Sequence, residues 1–208
     1  VFEEDPAPLL TEVLQTGIMP PRNPLAFWRT PEEVVSTMLA QLTVNPTSIL
    51  EPSAGDGAIL NIASHHFQDA KITAVELDPK RAAKLPISFI KVIITDFLTY
   101  LPDVDDLFDI VLMNPPFAVE TDKLAYISHV LHAYDLLLPG GQLVSICPAG
   151  LLFRTDKRTA RLRQLIQETG YILNLGQAFD ESGTGVSTVL AFMEKGGFTP
   201  FNRYEQTP

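Results

Sequence analysis

Val111-Leu112-Met113-Asn114-Pro115-Pro116-Phe117 is an apolar run that ends abruptly in an amide, two prolines and an aromatic ring. Each proline fixes φ and removes a backbone N–H, and a residue before proline is pushed out of the helical region. The turn is therefore stiff and poor in donors. Its polar groups are acceptors, the carbonyls around Asn114 and Pro115, with the flat face of Phe117 beside them. Such a place suits a planar group with an exocyclic amine, which donates two N–H bonds while its ring stacks. For this tetrapeptide alone a tight turn after a strand is the bland alternative, because Asn-Pro commonly starts turns.

Working back toward the N-terminus, Ser48-Ile49-Leu50 leads into Glu51-Pro52-Ser53-Ala54-Gly55-Asp56-Gly57, and Ala58 to Ala63 then reads as a helix. Strand, glycine loop and helix together open a doubly wound sheet that binds nucleotides. Leu60 stands where the dinucleotide fingerprint requires a third glycine, and Glu51 and Asp56 make the loop a poorer cradle for phosphate than for a cation. That points away from NAD and ATP. Ile72 to Asp78 reads as a strand ending in acids about twenty residues past the loop, where a carboxylate can accept from ribose hydroxyls. Ile87 to Ile94 is a third β-rich run, ending in Thr95-Asp96-Phe97, and Phe108 starts the strand that reaches Asn114. Ligands bind at the carboxyl ends of such strands, so Glu51, Glu76, Asp96 and Asn114 should line one rim.

Ahead of these elements, Thr30 as N-cap, Pro31 at the first helical position and Glu33 spell a capping box. The helix N-terminus it predicts could receive a ligand carboxylate, although a plain capped helix explains the residues equally. Residues 1–26 carry five prolines and read as an arm, with a short helix near Leu9 to Leu14. Beyond the central turn, Lys123 to Leu138 is helical in pattern and Pro139-Gly140-Gly141 stops it. Leu143 to Pro148 is a fifth strand that buries Cys147, and a helix over about Asp156 to Glu168 ends at Gly170. Tyr171 to Leu173 and Val186 to Met193 are two closing strands, and 197–208 is a polar tail.

The 208 residues, 46% of them hydrophobic, can fill one sizeable core. No run approaches the eighteen or so apolar residues of a membrane span, and Val1-Phe2-Glu3-Glu4-Asp5 lacks a basic leader, so the expected place is the cytoplasm, with no membrane partner. One cysteine and four histidines offer no metal-ligand spacing, and no metal is expected. A net charge of −10 argues against broad attraction to nucleic acid. Yet Arg154, Lys157, Arg158, Arg161 and Arg163, five of the fifteen basic residues, fall within ten positions. They form either a solvated helix face or a phosphate-contacting patch.

With these pieces in place, residues 27 to about 195 resemble the S-adenosylmethionine-dependent amino-methyltransferases, most closely the N6-adenine DNA methyltransferases whose cofactor motifs precede the catalytic one. The likeness rests on the Thr30-Pro31 start, the E-P-S-A-G-D-G loop, the acidic second strand end, Asp96-Phe97, N-P-P-F, and a phenylalanine before the last strand. It implies a Rossmann-like α/β fold, a mostly parallel seven-stranded sheet with an antiparallel last strand and helices on both faces. The implied catalytic domain is 27–196 and the implied cofactor is S-adenosyl-L-methionine. Thr30 would bind its methionine carboxylate, and Glu51, Pro52, Ser53, Ala54, Gly55, Asp56 and Gly57 would lie along its amino acid part. Glu76, beside Leu77, would hold the ribose, Asp96 the adenine amine, and Phe97 would pack on that adenine. Asn114 and Pro115, ahead of Pro116, would accept the hydrogens of the target amine, with Phe117 and Phe179 stacking on a flipped base. On the phosphate-contacting reading of the basic cluster, Arg154, Lys157, Arg158 and Arg161 would meet DNA. A core phenylalanine is the equal alternative for Phe179.

Transfer from a sulfonium is an in-line displacement needing neither metal nor dedicated base, and two fixed acceptors favour a more tetrahedral nitrogen. Family members that read a defined sequence carry a recognition domain, and none is expected in the dozen or so residues after the last strand. The resemblance then implies a separate specificity subunit, DNA methylation with little selectivity, or another substrate. The same turn occurs in enzymes acting on rRNA or on a protein glutamine, and a noncatalytic partner subunit is a further alternative.

Overall fold

Seven strands form one sheet in the order β3-β2-β1-β4-β5-β7-β6, in a computed structural model that describes residues 29–85, 90–176 and 187–196. The expected arm, its short helix, the polar tail and Phe179 lie outside the described residues. β1 (Ser48–Glu51), β2 (Lys71–Glu76), β3 (Ile90–Ile94), β4 (Phe108–Met113) and β5 (Leu137–Pro148) pair in parallel. β7 (Thr188–Glu194) runs antiparallel between β5 and β6 (Gly170–Gly176). The mostly parallel sheet with an antiparallel last strand therefore stands as expected.

Parallel strands are covered on both faces and read as continuous apolar runs, and β4 shows why. Ile110 and Leu112 face the layer of α1 (Glu32–Leu39) and α2 (Ala58–His66), together with Val35, Met38, Ile59 and Leu60. Val111 and Met113 face the opposite layer, where α4 (Ala125–Asp135) brings Tyr126, Ile127 and Val130 and α5 (Lys157–Thr169) brings Leu162 and Ile166. Ile110 to Met113 are all 0% exposed. Burying each such side chain is worth about 1.5–3 kcal/mol, so the strand delivers Asn114 from a firmly held base. Strand order reverses at β1, whose two neighbours are β2 and β4. A crevice opens there, outside the carboxyl ends of β1 and β4.

Two local expectations are corrected. The capping box does not form: α1 starts at Glu32, Pro31 is its N-cap and no side chain caps it. The Pro31 carbonyl accepts the amides of Val34 and Val35 at 3.0 and 3.1 Å, and the Thr30 hydroxyl is engaged elsewhere. The second is the helix expected over Lys123 to Leu138, which is only Ala125–Asp135. The chain has left the helix before Pro139-Gly140-Gly141, which lies inside β5 at a register shift. Gly140, at φ +79, donates to the Lys195 carbonyl at 2.7 Å, and the Lys195 amide returns a bond to Gly141 at 2.9 Å. Pairing with the end of β7 thus wins over helix termination at this tripeptide.

Candidate active site

β1 ends in Glu51 and β2 in Glu76, carboxylates only 1% and 6% exposed. Glu76 stitches the two strand ends together: Gly55 N–H donates to its Oε2 at 2.7 Å and Asp78 N–H to its Oε1 at 2.8 Å. The glycine loop reaches this carboxylate through left-handed residues, Gly55 at φ +56 and Gly57 at φ +83, which a side chain would strain. Glu51 has less support, a single amide from Ser53 at 3.1 Å. Burial pushes its carboxyl up to about 8, the charges of Glu76 and Asp56 push the same way, and the Ser53 amide opposes them. Asp56 accepts from Ala58 N–H at 3.1 Å and meets Arg29 at 3.3 Å. Asp78, read from the sequence as part of the second strand, is instead the N-cap of α3 (Pro79–Ala82).

Across the crevice, Asn114 Nδ2 donates to Thr30 Oγ1 at 3.1 Å. Thr30 is 5% exposed, so this bond fixes the rotation of the amide in a buried setting. Pro115 is buried, Asn114, Pro116 and Phe117 are half-buried, and Phe117 packs against both core layers. The chain then folds into a tight loop in which Val119 and Asp122 exchange backbone bonds at 2.9 and 3.2 Å. Arg158 grips that loop from α5, with Nη1 and Nη2 on the two Asp122 oxygens at 2.8 and 2.7 Å and Nη2 on Ser128 Oγ at 2.9 Å. These bonds hold the Asp122 carboxyl below its ordinary range.

One cavity of about 430 Å³ joins these elements. Thr30, Glu51, Pro52, Ser53, Ala54, Gly55, Asp56, Glu76, Leu77, Asp96, Phe97, Asn114, Pro115 and Pro116 line it. Gly57, Phe117, Arg154, Lys157, Arg158 and Arg161 do not. Asp96 uses Oδ1 to accept the Leu98 amide at 3.0 Å, and Phe97 is 4% exposed, its ring 4.7 Å from that of His132. Among the lining residues that sequence reasoning missed are Leu98, Arg81 and the Val119–Asp122 loop, along with His129. His129 Nδ1 lies 2.9 Å from the Ala125 carbonyl. A carbonyl only accepts, so Nδ1 carries the proton, Nε2 keeps its lone pair, and burial lowers the pKa of the ring. A polar residue four positions after Ala125, on the buried stripe of α4, was the available signal.

The lining carries six carboxylates, from Glu51, Asp56, Glu76, Asp96, Glu120 and Asp122, against the guanidinium of Arg81. Such a wall favours a small cation with apolar and hydroxyl-bearing parts over a polyphosphate. A family model described as methyltransferase small domain matches residues 36–173, two thirds of the chain. The chain belongs to that family. Type II methyltransferase M.CvrRI of Paramecium bursaria Chlorella virus XZ-6E is 34% identical over 91 residues, 42% of this chain and 23% of that protein. Type II methyltransferase M.TthHB8I of Thermus thermophilus is 29% identical over 178 residues, 72% of this chain and 40% of that protein. This methyltransferase domain thus spans less than half the length of either curated relative.

Solved structures share the fold. A modification subunit of a putative type I restriction enzyme from Vibrio vulnificus YJ016 has a TM-score of 0.70 at 18% identity, over 90% of this chain and 48% of that one. A putative class I S-adenosylmethionine-dependent methyltransferase from Listeria monocytogenes has a TM-score of 0.63 at 18% identity, over 89% and 65%. S-adenosylmethionine is the cofactor of this family and fold. The cavity suits it: among the described residues no cationic side chain pairs with Glu51, whose buried carboxyl is pushed up to about 8, and a sulfonium or an α-ammonium would supply a positive neighbour. Among the described residues no helix is long and apolar enough to cross a membrane.

Proposed function

We propose that this chain transfers the methyl group of S-adenosylmethionine to the exocyclic N6 amine of adenine in DNA. The observation that carries the proposal is the Asn114 amide, pinned to Thr30 at the head of a double-proline turn and set on the wall of an acid-lined cavity. When bound, the cofactor supplies an electrophilic methyl on a positively charged sulfur. Glu51 would offset that charge, Glu76 would accept from the ribose hydroxyls and Asp96 from the cofactor's adenine amine, while Phe97 and Leu77 would give its ring apolar contact. The loop from Pro52 to Asp56, which lines the cavity, would run along the amino acid part.

Thr30 links the two halves of the reaction. Its oxygen accepts from Asn114, so the proton it owns is the one available to a cofactor carboxylate. The Asn114 and Pro115 carbonyls accept the two hydrogens of the target amine. Both bonds draw the nitrogen out of conjugation with its ring and aim its lone pair, which is catalysis by positioning. Phe117 stacks on the flipped base, whose removal from the duplex costs a few kcal/mol. Arg154, Lys157 and Arg161 meet phosphates. The likeness to proteins named as type II methyltransferases and to a restriction-enzyme modification subunit supports DNA as the substrate and a separate specificity subunit as partner.

The test is tritium transfer from labelled cofactor to plasmid DNA, ribosomal RNA and a protein with an exposed glutamine, offered side by side. Label in DNA alone is expected. Label confined to RNA or to protein would overturn the choice of substrate.

A further inference from the structure

Two large apolar side chains that the proposed reaction leaves unused stand just past the end of β5. Met113 of β4 pairs in parallel with Ser145 of β5, so Pro148 and the turn Ala149–Leu152 emerge on the same rim as Asn114. Leu151 is fully buried and anchors this turn, whereas Leu152 is 46% and Phe153 72% exposed. Arg163 of α5 brackets the pair, donating to the Leu151 carbonyl at 2.8 Å and, through both terminal nitrogens, to the Arg154 carbonyl at 3.2 Å. The amides of Phe153 and Arg154 close back on the Gly150 carbonyl at 3.2 and 2.9 Å.

A lone exposed apolar residue needs no explanation. Here the backbone is held on both sides of two of them, and the side chains are presented outward. The same segment leads into α5, which the Arg158–Asp122 pair ties to the loop that lines the cavity. It is also where a chain of net charge −10 gathers its cations, with Lys157 and Arg161 exposed and Arg154, exposed as well, paired with Asp156 at 3.1 Å. Apolar tips between cations, fixed beside a reaction site, complement a surface whose outside is phosphate and whose inside is stacked rings.

We infer that Leu152 and Phe153 form a wedge that enters the base stack of duplex DNA beside the target and fills the space the flipped base vacates. The inference rests on the proposed action on adenine in DNA and adds how the duplex is opened. Flipping removes stacking partners from the neighbouring bases, and an inserted ring restores one of them. Arg154, Lys157 and Arg161 then pair with phosphates on either side of the opening.

A wedge matters only where there is a stack to open. The experiment measures methyl transfer by the full chain and by Phe153→Ala, with plasmid DNA as duplex and with the same DNA heat-denatured, alongside cofactor affinity by calorimetry. The expected result is a loss of about tenfold or more on duplex with less than twofold change on denatured strands, in line with the stacking contribution of one aromatic ring. Cofactor affinity should not change, and Phe153→Trp should restore transfer to duplex. Equal loss on both substrates, or no loss on either, would overturn the wedge while leaving the DNA reading intact. Transfer by the unsubstituted protein to ribosomal RNA or a protein glutamine but to neither form of DNA would overturn the DNA reading, and the wedge with it.

Discussion

Glu51 and Glu76, at the ends of β1 and β2, are 1% and 6% exposed, whereas Arg154, Lys157 and Arg161 stand in solvent past the end of β5. The same rim thus carries buried acids on one side and exposed positive charge on the other. Buried carboxylates cost free energy unless something compensates them, so they discriminate strongly between ligands and favour a small cation held at fixed distance. Exposed cations cost little and are screened within about 10 Å at ordinary ionic strength, so they attract a polyanion without dictating its position. Position comes from between the two, from the amide and prolines at Asn114 to Pro116. On the proposed function, this division places affinity for cofactor, geometry of transfer and affinity for substrate in separable residues.

The sharpest way to break that separation is Asn114→Ala. Turnover should fall about 10²–10³-fold, the scale for removing one fixed hydrogen-bonding group from a reacting centre. Cofactor affinity by calorimetry should stay within a fewfold; a large loss there would merge the positioning and cofactor regions. On the acidic side, Glu76→Ala removes the acceptor for the Gly55 and Asp78 amides as well as the proposed ribose contact. Cofactor binding should weaken by roughly 10–100-fold, at about 1.5–3 kcal/mol for hydrogen bonds to a charged group.

Glu51 sharpens the comparison through pH. Its carboxyl, pushed from 4.5 to about 8 in the folded protein, holds a proton that the unfolded chain has released over that interval. The folded state binds more protons there, so the stability of the cofactor-free protein should decline as pH rises from about 4.5 to about 8. Glu51→Gln should flatten that decline in thermal melts while weakening cofactor binding. An unaltered pH profile would take Glu51 out of the buried, uncompensated class.

The smallest effects belong to the basic side. Lys157→Ala with Arg161→Ala should lower the slope of log K against log salt for DNA binding by about one to two, and leave cofactor affinity alone. Arg158→Ala should act differently, because its guanidinium is committed to Asp122 and the cavity loop. A few-fold loss of cofactor affinity is expected from a largely exposed pair, recovered when Arg158→Asp is combined with Asp122→Arg. A change in salt slope equal to that of Lys157 and Arg161 would place Arg158 among the phosphate contacts instead.

Much of this was legible because β1, β2 and β4 are apolar runs that end abruptly in polar residues, Glu51, Glu76 and Asn114. Runs of that kind report burial on both faces, and their abrupt ends report a rim. What the sequence hid were pairings across long separations. Thr30 looks like a cap because Pro31 and Glu33 follow it, but its hydroxyl serves Asn114, 84 positions away. Arg158 looks solvated beside its basic neighbours, but its partner Asp122 lies 36 positions earlier in a loop with no periodicity to reveal it. His129 reads as an interruption in an apolar helix face until the fold turns that face toward the cavity. The helix expected up to Leu138 fell short because pairing of Gly140 and Gly141 with Lys195 is a tertiary preference invisible in local propensity.

The most direct test of the central claim is nucleoside mass spectrometry of plasmid DNA incubated with S-adenosylmethionine and either the unsubstituted chain or Asn114→Ala, with cofactor binding measured for both. The account predicts N6-methyladenine from the former, little or none from the latter, and the same cofactor affinity in each. Methylation at another base, or N6-methyladenine persisting at an equal rate in Asn114→Ala, would contradict it.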